Sequence, residues 1–86
     1  MSLDSVILLN DIENQFGIEI SNEEASRIFT VQDLANCVFE NISFRLDTIE
    51  IHTIEEKVIK IISESQGIPI TEIELTHHLV NDLGID

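Results

Sequence analysis

Residues 2–16, SLDSVILLNDIENQF, decide how the chain reads. Leu3, Val6, Leu9, Ile12 and Phe16 recur at steps of three and four, which predicts one face of an amphipathic helix. Ser2 stands at the N-cap position, and Asp4 puts negative charge in the first turn, where the helix dipole favours it. Gly17 follows Phe16 as a C′ stop. Ser2 is thus expected at the positive end of a helix, a place suited to meeting another protein or holding a phosphate.

Outward from this helix, Gly17-Ile18-Glu19-Ile20 leads into a short helical turn over Glu23–Ile28, capped by Ser21 or Asn22. Thr30 caps a further helix, Val31–Ile42, with Val31, Leu34, Ala35, Val38 and Ile42 at helical spacing. Ser43–His52, SFRLDTIEIH, fits a short strand, a helix extension or a linker with apolar anchors, and is read as a linker. Thr53 and Glu56 form a T-x-x-E capping box that opens the helix Ile54–Ser65, with Ile54, Val58, Ile61 and Ile62 on its face. Gly67 and Pro69 end that helix. Thr71–Leu75 and His77–Asp82 read as a long loop with at most one helical turn. The expectation is an all-α bundle of three main helices, one short helix and a long loop. Val6, Leu9, Ile12, Val38, Val58, Ile61 and Ile62 should share its core.

At 86 residues the chain is sized for a single domain, 1–86. Its net charge of −13 argues against nucleic acid or anionic lipid as partners and suits basic protein surfaces. Cys37 is the only cysteine, so no intramolecular disulfide or thiolate zinc site forms. It lies beside an apolar stripe and reads as a buried, inert thiol. The longest apolar run near the N-terminus, Val6–Leu9, is too short for a signal peptide or membrane span, and a cytoplasmic location is expected. His77-His78 read as loop histidines, since adjacent imidazoles rarely converge on one ion. Asp82, Asp86 and Asp4 lack a calcium-loop pattern, so no metal site is expected. No nucleophile–base pair or ligand cluster points to an enzyme.

Read head to tail, the C-terminal Asp82-Leu83-Gly84-Ile85-Asp86 and the N-terminal Ser2-Leu3-Asp4 form DLGID–SLD. This junction resembles the attachment motif of acyl carrier proteins. The resemblance extends to F-G-I-E-I-x-x-E-E-A over Phe16–Ala25 and to T-V-x-D-L at Thr30–Leu34. Residues 2–42 are similar to the second to fourth helices of that family, and 53–86 to its first helix and long loop. The order resembles a circular permutant joined through 43–52, whether natural, engineered or a fragment of a tandem array. It implies that Ser2 and Asp86 lie close together in a folded monomer.

The resemblance implies a carrier and no enzyme of its own. A phosphopantetheinyl transferase would attach 4′-phosphopantetheine from coenzyme A to Ser2, within a motif shared by Gly84, Asp86, Leu3 and Asp4. The arm would carry acyl thioesters in fatty-acid or polyketide-type biosynthesis. Register along S-L-D-x-V to the F-G-I exit favours Ser2 over Ser5, which falls one turn inside the helix. Asp4, Asp11, Glu13 and Glu24 are the implied contacts for basic surfaces of acyl-processing enzymes. Ile7 departs from the pattern, because many carriers have an acidic residue there. The alternative is an acidic helical interaction module that keeps the fold without the cargo.

Overall fold

The structure, a computed structural model, describes residues 3–43 and 49–85. Ser2, Asp86 and residues 44–48 of the expected linker lie outside the described residues. The elements are α1 (Leu3–Phe16), α2 (Asn22–Ala25), α3 (Val31–Ser43) and α4 (Ile51–Gln66), followed by a 3₁₀ turn at Ile70–Glu72. Among the described residues there is no β-strand, and the fold is all-α.

Local chemistry explains the helix ends. Gly17 takes φ 65°. This left-handed residue lets Ile18 N–H reach back to the Glu13 carbonyl at 3.1 Å, closing α1 and turning Ile18 into the core. Gly67, at φ 69°, ends α4 in the same conformation, and its N–H donates to the Ser63 carbonyl. Ser21 caps α2 in a full capping box with Glu24. Thr30 and Asp33 make the equivalent pair for α3. Thr30 Oγ1 accepts from Asp33 N–H, and the Asp33 carboxylate accepts from Thr30 and Phe29 N–H, all at 3.1 Å.

The α4 helix is the hub, packing against both α1 and α3. Ile54, Val58 and Ile62 of α4, Leu8 and Ile12 of α1, and Val31, Leu34, Ala35 and Val38 of α3 are all but fully buried in one cluster. The Gln66 side chain reaches the Asp4 carbonyl, and Asp11 and Phe16 share a groove with Lys57, Lys60 and Glu64. The two helices are therefore antiparallel. Gln32 in the first turn of α3 donates to Glu55 of α4 at 2.8 Å and ties those two together.

Three expectations need correction. The buried face of α1 is set by Leu8 and Ile12, with Leu9 and Phe16 half-buried beside them. Leu3 and Val6, expected on that face, are 72% and 47% exposed, so Val6 is not a core residue. At about 100° per residue, Leu3 and Val6 fall on the far side of a stripe centred on Leu8, Ile12 and Phe16. Second, α4 begins at Ile51, one turn before the expected Ile54, and its N-cap is Glu50 with no side-chain hydrogen bond. The T-x-x-E box at Thr53 lies inside the helix. The added turn gives Thr53 and Ile54 N–H groups the Glu50 carbonyl as acceptor and brings Ile49 against the core. Third, the short helix covers Asn22–Ala25, and Arg27 and Ile28 follow in 3₁₀-type turns to Glu24 and Ala25.

Candidate functional site

The loop after α4 is drawn onto the N-terminus of α3 by the backbone groups a helix start leaves unpaired. Val31 N–H donates to the His77 carbonyl at 3.0 Å and Gln32 N–H to the Leu75 carbonyl at 2.9 Å. In return, Leu79 N–H donates to the Phe29 carbonyl at 2.8 Å, and Thr30 and His78 form an isolated antiparallel bridge. With Thr30 Oγ1 on Asp33, the first three N–H groups of α3 all have partners.

Anchored there, the loop coils over 79–84. Asp82 and Leu83 N–H groups converge on the His78 carbonyl, and Gly84 N–H donates to Val80. Gly84 at φ 68° turns the chain so that Ile85 N–H reaches the Leu79 carbonyl at 2.9 Å. Ile85 is 2% exposed and belongs to the main core. A small cavity of about 60 Å³ forms where Ile85, Leu79 and Val80 meet Ser5, Leu8 and Leu9 of α1 and Ala25 and Ile28 of the α2 region.

The sequence-predicted site residues fall into distinct settings. Ser2 and Asp86 lie outside the described residues. Leu3 and Asp4 are exposed at the start of α1, and Gly84 is exposed at the other end of the chain. Ser5 is half-buried and lines the cavity. Asp11 lies in the α1–α4 groove with Lys57 and Lys60. Glu13 is bound to the protein itself, accepting from Ile20 N–H at 2.8 Å.

Glu24 is held by three residues. Its Oε1 accepts from Ser21, and its Oε2 accepts from Asn41 Nδ2 at 2.9 Å and lies 3.4 Å from Cys37 Sγ. The Asn41 amide first, then the Ser21 backbone N–H and the Cys37 thiol, hold its carboxyl below the ordinary Glu value. Cys37 is buried and free, and burial first, then the neighbouring Glu24 carboxylate, pushes its thiol up to about 12. The Glu24 clamp was not foreseen. Its one visible signal was the Ser21-x-x-Glu24 spacing; Cys37 and Asn41 join it only through the fold. Glu13 and Glu19 share with Glu24 an open acidic cleft between α1 and α2, of about 880 Å³.

Thirty-nine residues of the chain are 49% identical to an acyl carrier protein of Chloroherpeton thalassium, covering 45% of this chain and 49% of that protein. This chain is similar to acyl carrier proteins. Over 37 residues it is also 49% identical to an acyl carrier protein of Thermosynechococcus vestitus, covering 43% of this chain and 46% of that protein. The chain spans about half the length of the curated relatives it matches. No family model and no solved structure matches it. Among the described residues, no group of three metal-ligating side chains gathers, and no helix is long and apolar enough to cross a membrane.

Proposed function

We propose that this chain is an acyl carrier whose Ser2 holds 4′-phosphopantetheine, with the family's helices in permuted order: α1 to α3 first, then α4 and the loop after it, joined through the expected linker 43–52, whose two ends belong to α3 and α4. One observation carries the reading. Ile85, which stands inside the split motif between Gly84 and Asp86, closes onto Ser5, Leu8 and Leu9 in the N-terminal half of α1, the helix that Ser2 precedes in the sequence. The match of 39 residues to an acyl carrier protein supports the carrier reading.

The surroundings fit the arm. Leu3 and Asp4, which follow Ser2 in the sequence, are exposed. The free N–H groups and dipole at the start of α1 favour a phosphodiester's negative charge. Ser5 is a poorer acceptor, half-buried against Leu8, Leu9 and Ile85. The apolar cavity beside it is too small for more than a methyl or two, so sheltering an acyl chain requires α2 and the 79–85 loop to part.

The carrier would be a cytoplasmic monomer serving a phosphopantetheinyl transferase and acyl-processing enzymes with basic surfaces. Asp4 is exposed at the start of α1 and Asp11 borders the α1–α4 groove, whereas the Glu13 and Glu24 carboxylates accept internal hydrogen bonds. Leu3, Val6 and Ile7 are exposed on the same helix, so its partner face is more apolar than acidic. The test is intact mass after incubation with coenzyme A and a transferase, with an ordinary carrier modified alongside. The unsubstituted chain and Ser5→Ala should gain the arm, and Ser2→Ala should not. Addition that survives Ser2→Ala and vanishes in Ser5→Ala would move the site. No addition to the unsubstituted chain would favour the acidic interaction module.

A further inference from the structure

The carrier reading leaves His77-His78 without a role, yet the two rings are built into the loop in the same way. His77 Nδ1 accepts from Glu74 N–H at 3.2 Å, and His78 Nδ1 accepts from Asn81 N–H at 3.2 Å. A neutral imidazole has one acceptor nitrogen and a protonated one has none. Both contacts therefore require the neutral ring with its proton on Nε2. For His77 a second contact agrees: its Nε2 lies 3.3 Å from the Glu74 carboxylate, where a proton is wanted. One histidine thus closes the turn before the bridge to Thr30, and the other closes the turn after it.

We propose that His77 and His78 form a proton-sensitive latch on the loop 73–85, closed when both rings are neutral and released when they charge. Protonation would set an Nδ1–H against the N–H of Glu74 and another against that of Asn81, turning each attraction into a repulsion. The charged groups around the rings do not restore what is lost. Glu74 faces Nε2 of His77, where charging strengthens the contact, but it supplies no acceptor for its own backbone N–H, which is left facing an Nδ1–H. Asp82 already accepts from the backbone N–H of His78 at 2.7 Å. Asp33 of α3 lies within electrostatic reach of His78, so it draws a charged ring without supplying an acceptor for a backbone N–H. Phe29, against which the His78 ring rests at 6.1 Å between centroids, and Thr30 are uncharged.

The released segment is the one that positions Gly84 and Ile85. Acidification should therefore loosen that half of the candidate attachment motif and the cavity wall at Leu79 and Val80. This consequence rests on the carrier reading; the latch does not.

The test is NMR on the full ¹⁵N-labelled chain, titrated across the range in which an imidazole charges, about pH 8 to 5. Long-range ¹H–¹⁵N correlations should show the Nε2–H tautomer for both rings at the upper end. The Glu74 and Asn81 amides should shift with the ring titrations. Their hydrogen-exchange protection, corrected for intrinsic rate, should fall on the order of tenfold, the worth of an ordinary hydrogen bond. His77→Asn and His78→Asn each keep an acceptor that does not titrate, so each should make its partner amide's protection independent of pH. An Nδ1–H tautomer, or amides whose protection ignores the ring titration, would overturn the latch, and these readouts need no variant. Transfer of phosphopantetheine at pH 5.5 relative to 7.5 should be slower for the unsubstituted chain than for the double Asn variant under the same transferase; an equal ratio refutes the functional consequence. Absence of transfer at every pH would sink the carrier reading, while the amide titration still decides the latch.

Discussion

Ile85 and Leu8 line the same small cavity, although one sits beside the last residue of the chain and the other in the second turn of its first helix. Their exposures are 2% and 1%, so the C-terminal segment is a core element and not a tail. Ile85→Ala should destabilise the fold by about 2–5 kcal/mol, the usual cost of truncating a buried isoleucine. Ile85→Val, about 0.5–1.5 kcal/mol, keeps the measurement possible in a marginal domain. Urea unfolding followed by far-UV circular dichroism checks both. An Ile85→Ala loss within experimental error would show that this segment is dispensable.

Gly84 holds φ 68° with open space around a would-be Cβ. Gly84→Ala should cost about 1–2 kcal/mol through backbone strain alone. Asn tolerates this region better, so Gly84→Asn should lose less. Equal stability of all three chains would mean that the turn is not held left-handed in solution.

The Glu24 clamp makes a prediction in pH. Its folded-state carboxyl titrates below the ordinary value of 4.5, so the stability it contributes is present above 4.5 and is lost as pH falls through the lowered folded value. Glu24→Gln should therefore be less stable than the parent near neutrality, with the gap closing on acidification. Denaturant midpoints at a series of pH values test this. A gap that stays constant into acid would assign the loss to packing and not to charge.

Cys37 should be inert in the folded chain, since burial beside Glu24 keeps the thiolate scarce. A chromogenic disulfide reagent should react slowly without denaturant and rapidly in urea. The native rate should rise in Glu24→Gln, which removes the adjacent negative charge. Fast reaction of the native parent would contradict the burial.

Much of the architecture was legible because it rests on local chemistry. Gly17 and Gly67 stop their helices wherever the bundle lies, because only glycine enters the left-handed region cheaply. Ser21 caps α2 and Thr30 caps α3 with residues three positions away. Thr53-x-x-Glu56 has the same spacing and was misleading, because a helix start also depends on what precedes it: Ile49 packs on the core, and Glu50 becomes the cap. In α1, Val6-Ile7-Leu8-Leu9 is apolar on every side of the helix, so periodicity could not choose between faces. Contact with α4 chose Leu8 and left Val6 and Ile7 exposed.

The candidate site divides the same way. The sequence by itself determined the helix that follows Ser2, the glycine at 84 and the excess of negative charge, all of which follow from residue type and short-range spacing. Only the tertiary structure decided that Ile85 returns to Leu8, that the free N–H groups of α3 capture the loop at Leu75 and His77, and that Glu24 clamps α2 to Asn41 and Cys37. Those contacts join residues far apart in the chain, and they form because buried apolar surface and unpaired backbone donors must find partners across the whole fold.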